Sequence, residues 1–295
     1  MFNKKMLIEI YCVVDDFCKI FLPQWEAKLI ETGQRKRIKE GNMSVSEIMT
    51  IIIYFHQSNY RNFKSYYLGL IKTYFGSYFT GLLSYPRFIA VMKSVLVPLC
   101  SFIHTLSGEK TGVYFIDSTL LRACHIKREK QNKVFAGLAR KSKSSMGFFF
   151  GFKLHIIIND KGDLMAFKIT RGNVDDRGPV PSLAKGLVGK LVGDKGYISN
   201  NLFLELYETG LQLITKIKSN MKNKLTDLAD RILLRKRAVI ESVNDQLKNI
   251  SQIEHTRHRS IWNFTCNLVA GICSYSLSPK KLSIRVDGLS MLCCN

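Results

Sequence analysis

The chain has 295 residues, 46% of them hydrophobic, which is enough for one large or two moderate packed cores and excludes a disordered tail. Lys and Arg number 44 against 23 Asp and Glu, a formal net charge of +21 with a pI near 9.7, so a polyanionic partner is expected. Nucleic acid comes first, because neutralising phosphates releases condensed counterions; an anionic membrane surface or a merely basic protein is the weaker alternative.

In chain order, "MFNKKMLIEIYCVVDD" imitates a signal peptide, but Glu9 interrupts its apolar stretch and no small-residue cleavage site follows. Apolar runs such as "IMTIIIYF" fall far short of the roughly 20 residues a bilayer needs, so no membrane span and a cytoplasmic location are expected. Residues 1–105 carry helical periodicity. Ser44 with Glu47 forms a capping box before "VSEIMTIIIYFH", and "SYPRFIAVMKSVLVPL" opens a helix with Pro86 in its first turn. Between them, "NYRNFKSYYLGLIKTYF" interleaves aromatic and basic residues. Two readings stand: a helical DNA-binding module, with Arg61, Lys64 and Lys72 toward phosphate, or a helical bundle with solvated lysines.

From about residue 110 the pattern becomes β-rich. "TGVYFID", "GFFFGFKLHIIIND", "DLMAFKIT", "KLVGD" and "LQLITKIK" read as strands, while "GPVPSLAKGL" and "SNNLFLELYETG" read as helices. The resulting order, β-β-β-α-β-α-β-α, is that of an α/β fold with a ribonuclease-H-like mixed sheet. Domain boundaries of 1–108, helical, and 109–295, catalytic, follow.

Acids sharpen this reading. A bare carboxylate inside an apolar strand costs several kcal/mol unless it is paired or bound to a cation, yet Asp117 sits within "VYFIDSTLL". Asp194 in "KLVGDKGY" closes the fourth strand, which in this fold lies beside the first. In the last helix, "RILLRKRAVIESVNDQLKNI", the spacings of Leu234, Arg237, Glu241 and Lys248 put them on roughly one face. Asp117, Asp194 and Glu241 together suit Mg²⁺ or Mn²⁺, and two such ions about 4 Å apart support in-line phosphoryl transfer. The structural alternative for each acid is local: a turn at Ser118 and Thr119, the tight "DKG" turn, and an ion pair with Arg237. Asp175 and Asp176 are expected to cap the helix after "GNVDDRG".

The eight cysteines are scattered without a CxxC pair and read as reduced packing residues. His255 and His258 near Cys266 and Cys273 match no common zinc spacing, so zinc is not expected.

With "FIDST", "KVFAGLARKSKSSMGFFFGFKLHIIIND", "GNVDDR", "GDKGY", "IESVNDQLK" and "HTRHRSIWNF" in view, the sequence resembles the DDE transposases of bacterial insertion sequences, most closely the insertion-sequence 982 family, over nearly its whole length. Related transposases carry Tyr, two residues, Arg, three residues, Glu, six residues, Lys. Arg237, Glu241 and Lys248 match that spacing, and Leu234 stands at the tyrosine position. The resemblance implies a catalytic, metal-binding triad of Asp117, Asp194 and Glu241. It also implies that Arg237 and Lys248 hold terminal phosphates, and that Lys195 and Tyr197 lie beside the scissile strand. Residues 127–147 form a basic segment with Lys127, Arg128, Lys130, Lys133, Arg140, Lys141 and Lys143; as a flexible loop beside Asp117, Lys133, Arg140, Lys141 and Lys143 would track DNA. The expected activity is metal-dependent cleavage at the ends of an element and transfer of the 3′-hydroxyl to target DNA, by a homodimer or larger assembly. A ribonuclease-H-like nuclease without strand transfer, and a silent DNA-binding relic, are the alternatives.

Overall fold

The computed structural model describes residues 4–37, 39, 41–144, 147–216, 227–254 and 258–284. His255, Cys293, Cys294 and the tail "RVDGLSMLCCN" lie outside the described residues, as do Ile217 and Lys218 of the last expected strand. The chain divides into two compact units: Met1–Leu106 with Leu247–Ser278, and Ser107–Gln246 with Pro279–Asn295.

The first unit is helical throughout its regular structure. It contains α1 (Lys4–Glu31), α2 (Val45–Phe55), α3 (Phe63–Ser65) running into a π-helical stretch (Tyr66–Lys72), α4 (Tyr85–Val91), a 3₁₀ turn (Met92–Val95) and α5 (Leu96–Thr105). The capping box is present at α2: Ser44 Oγ accepts the Glu47 N–H, and Glu47 Oε2 accepts the Ser44 N–H at 2.7 Å. Tyr66, Tyr67, Phe75 and Phe88 are buried, so the aromatics between Asn59 and Phe75 are mainly core. One helical run, Tyr85–Thr105, is long and apolar enough by length and composition to cross a membrane. Its Phe88, Val95, Leu99, Phe102 and Ile103 are buried in the unit, where α5 packs on α1 and on a late helix, Ile261–Ser276. That late helix is buried along most of its length, with Phe264, Leu268, Val269, Ile272 and Tyr275 in the core. Its burial requirement explains why residues 247–278, expected within the second domain, belong to the helical unit instead.

The second unit holds a six-stranded mixed sheet: β1 (Val113–Cys124), β2 (Arg140–Ser144), β3 (Gly147–Asn159), β4 (Leu164–Arg171), β5 (Gly189–Gly193) and β6 (Leu211–Thr215). β3 pairs antiparallel with β1 along one edge, and its other edge is shared by β2 and β4. β1 pairs in parallel with β5, and β5 with β6. The helices here are α6 (Val180–Leu183), α7 (Asn200–Glu208), α8 (Leu228–Lys236) and α9 (Ala238–Asp245), and the late helix is α10 in chain order. Tyr114, Ile116, Val180, Leu183, Leu191, Leu202 and Leu206 pack together between the sheet and α6 and α7.

Two expectations are corrected. Residues 127–147 are only in part a loop: among the described residues, a 3₁₀ helix, Ile126–Gln131, and a turn over 132–139 are followed by β2, because "RKSKS" finds backbone partners along the start of β3. The last helix is not continuous either. It breaks at Arg237 between α8 and α9, and α9 loosens into a π turn at Gln246–Ile250.

Gly151 is required where β3 is flanked on both edges, since a Cβ there would stand 2.0 Å from the Leu121 carbonyl oxygen. Backbone cannot step aside cheaply, so we predict that Gly151→Ala loses at least about 1–3 kcal/mol, read by urea unfolding. Unchanged stability would mean that the β1–β3 pairing at Gly151 yields to a side chain.

Candidate active site

Strand alternation places Asp117 and Thr119 on one face of β1, and Tyr114, Ile116 and Ser118 on the other. Asp117 stands opposite Ile156 of β3, and α9 packs on β1. From α9, Asn244 donates its Nδ2 to Asp117 Oδ2 at 2.9 Å, while the Asn244 Oδ1 is buried with no hydrogen-bond partner among the described residues. Arg237 Nη1 lies 3.9 Å from Asp117 Oδ1. Burial pushes the Asp117 carboxyl up to about 6; the Arg237 charge, the Ser118 N–H and Asn244 oppose this, and the Asp194 charge adds to it.

Asp194 directly follows β5 and caps the 3₁₀ turn Lys195–Tyr197, accepting the Gly196 N–H at 2.8 Å. The "GDKGY" block has a local reason. A Cβ at Gly196 would press on Asp194 Oδ1 at 2.9 Å, and one at Gly193 on the Tyr197 ring at 3.0 Å. Lys195 is exposed. Tyr197, expected beside the scissile strand, is only 1% exposed and belongs to the core, because its ring packs with Ile116 and Leu202. Its hydroxyl, near Ser118, has its pKa raised, chiefly by burial and then by the charges of Asp117, Asp176 and Asp194. Three carboxylates therefore act on one buried hydroxyl.

Glu241 is placed differently from the expectation that it joins the two aspartates. It forms a close ion pair with Arg237 one turn back, and its side chain is 54% exposed. Among the described residues, no three His, Cys, Asp or Glu side chains form a metal cage. Lys248 pairs with Glu254 at 3.4 Å in the helical unit. Lys133, Arg140, Lys141 and Lys143 are exposed, the last three on β2.

Asn244, Lys153 and His155 carry no expectation from the sequence, and Asp176 takes a role other than the expected cap. Asn244 hydrogen-bonds Asp117, yet an Asn among helical residues carries no distinguishing signal. Asp176 does not cap α6, whose N-cap is Pro179; it accepts from Lys153 Nζ at 3.0 Å and lies 3.8 Å from the buried His155. Lys153 also donates to the Val174 carbonyl at 2.9 Å, and His155 Nε2 shares a 2.8 Å hydrogen bond with Thr170 Oγ1. Burial lowers the His155 pKa to about 4. The signal was present in "FKLH", a lysine and a histidine two apart, hence on one face of an apolar strand. Asp175 chelates Arg177 instead, through its side chain and backbone N–H.

The family described as "Transposase DDE domain" matches residues 107–261, over half the chain and inclusive of every acid above. The chain belongs to the DDE transposase family. Among solved structures, the transposase is similar to a "piggyBac transposase synaptic complex with hairpin DNA" determined by cryo-EM, at 12% identity and a TM-score of 0.45, over 99% of this chain and 78% of that one. No curated protein matches the chain.

Proposed function

We propose that this is the transposase of a bacterial insertion sequence of the 982 family, which cuts DNA at the ends of its element and joins the freed 3′-hydroxyl to target DNA. The observation that carries the reading is the Asp117 carboxylate, partly buried on β1 within the field of Asp194 at the end of β5. A strand order of β3-β1-β5-β6 with β4 beyond β3 supports a ribonuclease-H-like core.

The donor set fits a hard divalent cation, Mg²⁺ or Mn²⁺: two carboxylates whose like charges a cation would neutralise, and the buried, unbonded Asn244 Oδ1 close by. When bound, such ions, two on this reading, lower the pKa of an attacking water and stabilise the leaving oxygen. Asp117 and Asp194 would hold them, with Asn244 fixing the Asp117 rotamer. Glu241 would complete the set on leaving Arg237, whose guanidinium would pass to a DNA phosphate. Lys248, Lys195, Lys133, Arg140, Lys141 and Lys143 would take further phosphates; Tyr197 would support the turn from within the core. Water and then the 3′-hydroxyl attack phosphorus in line at one site, so no covalent protein–DNA link is needed. Pairing two element ends calls for a homodimer or larger synaptic assembly, with the helical unit, Met1–Leu106 and Leu247–Ser278, binding DNA and the sheet unit supplying catalysis.

A second reading, a DNA-binding relic without chemistry, is favoured by the Glu241–Arg237 pair. The deciding experiment incubates labelled DNA carrying the sequences that flank the gene with the protein, in Mg²⁺ and in EDTA. Metal-dependent cuts at the element boundary followed by joined products are expected. Salt-sensitive binding without cutting in either condition would leave the relic.

A further inference from the structure

Phe148 is 60% exposed at the start of β3, where the same face of the strand continues inward as Phe150, Phe152, Leu154 and Ile156, all buried. It stands directly opposite Lys143 of β2, and the ammonium groups of Lys141 and Lys143 lie 5.1 and 5.9 Å from its ring centroid. An isolated exposed aromatic is ordinary on a protein surface. This one is bracketed by two cations at i and i+2 of an edge strand, with Arg140 exposed beside them. Cations over a ring are held by its quadrupole, which fixes their position without consuming their charge. The same β3 face carries Ile156, the partner of Asp117, eight positions further on, or roughly 27 Å at about 3.4 Å per residue. Phe148 therefore lies within about one duplex turn of Asp117, a span that one bound DNA covers.

We propose that the β2–β3 hairpin is a base-stacking clamp: Phe148 takes the face of an unpaired DNA base, and Lys141 and Lys143 hold the phosphates on either side of it. This rests on the reading of the chain as a DNA enzyme and adds to it a preference for locally unpaired DNA. An aromatic face is indifferent to base identity, so the clamp is sequence-tolerant and reads unpairing rather than sequence.

The test uses the full chain with two fluorescent probes, a blunt duplex of about 30 base pairs and the same duplex with a short 3′ thymidine overhang, measured by anisotropy. Stacking of one or more bases predicts that the unmodified protein prefers the overhang by about tenfold. Phe148→Ala is expected to erase that preference while blunt-duplex affinity stays within about twofold. Phe148→Trp is expected to keep it, with indole emission quenched by the overhang alone. Retention of the preference in Phe148→Ala, or equal weakening on both probes, overturns the clamp but leaves the transposase reading standing. Failure of the unmodified protein to bind either probe overturns both.

Discussion

Asp117→Asn is expected to reduce end cleavage by on the order of 10³-fold or more and, at the same time, to make the metal-free protein more stable at neutral pH. The first effect follows from losing a carboxylate that holds the cation: several kcal/mol of charge stabilisation at phosphorus disappears, and each 1.4 kcal/mol is about tenfold in rate. Asp194→Asn is expected to match it. The second effect follows from burial. The Asp117 carboxyl titrates near 6 in the folded chain against an ordinary value of 3.8, so the native state binds the extra proton between those values. Stability therefore falls as pH rises through that window, and above it the full cost of the buried charge, about 1–3 kcal/mol, is present. Asparagine carries no such charge and keeps an oxygen for the Asn244 amide. Thermal unfolding in EDTA checks this: the variant should melt higher than the unmodified protein at pH 8, with the gap closing near pH 4. A variant that melts lower at pH 8 would show that the carboxylate is structurally paired and would remove the argument that it is kept for a cation.

Lys190→Met is expected to cost about 3–5 kcal/mol. Lys190 Nζ donates to Asp230 Oδ1 at 2.8 Å, and the two side chains are only 10% and 12% exposed. Removing the cation leaves Asp230 uncompensated in a poorly solvated place. The pair ties α8 to β5, four residues before Asp194, so its loss should also loosen the segment that leads to Arg237 and Glu241. Lys190→Met with Asp230→Leu should recover most of the loss, because two apolar side chains leave no charge buried. Urea unfolding of the two variants decides it: equal losses would mean that packing volume, not charge, sets the effect.

How much of this was legible follows from what leaves a mark in sequence. Asp117 and Asp194 stood out because a carboxylate in or just after an apolar run violates the burial pattern, and β1, β3, β4, β5 and β6 announced themselves by β-branched and aromatic residues. β2 did not, since "RKSKS" has neither; it is a strand because β3 offers backbone partners and Phe148 a seat for two ammonium groups. No Gly or Pro marks the break at Arg237, so the periodicity ran straight through it. Asn244 was invisible for the opposite reason: amides are unremarkable within helices, and only the tertiary packing of α9 on β1 aims this one at Asp117. The assignment of residues 247–278 to the helical unit was illegible because contact, not a linker, draws that boundary.

That last feature bears on how the chain is made. A nascent chain that has emerged from the ribosome only as far as Leu106 lacks α10, and Phe102, Leu99 and Val95 have no late helix to cover them. Domains that fold as they emerge normally do so from the amino terminus onward. Here the amino-terminal helices are sealed by a segment translated more than 150 residues later, roughly ten to thirty seconds at ordinary elongation rates. Products of premature termination would thus carry an unsealed helical unit, exposed to proteases, and only a chain read through α10 would keep both units.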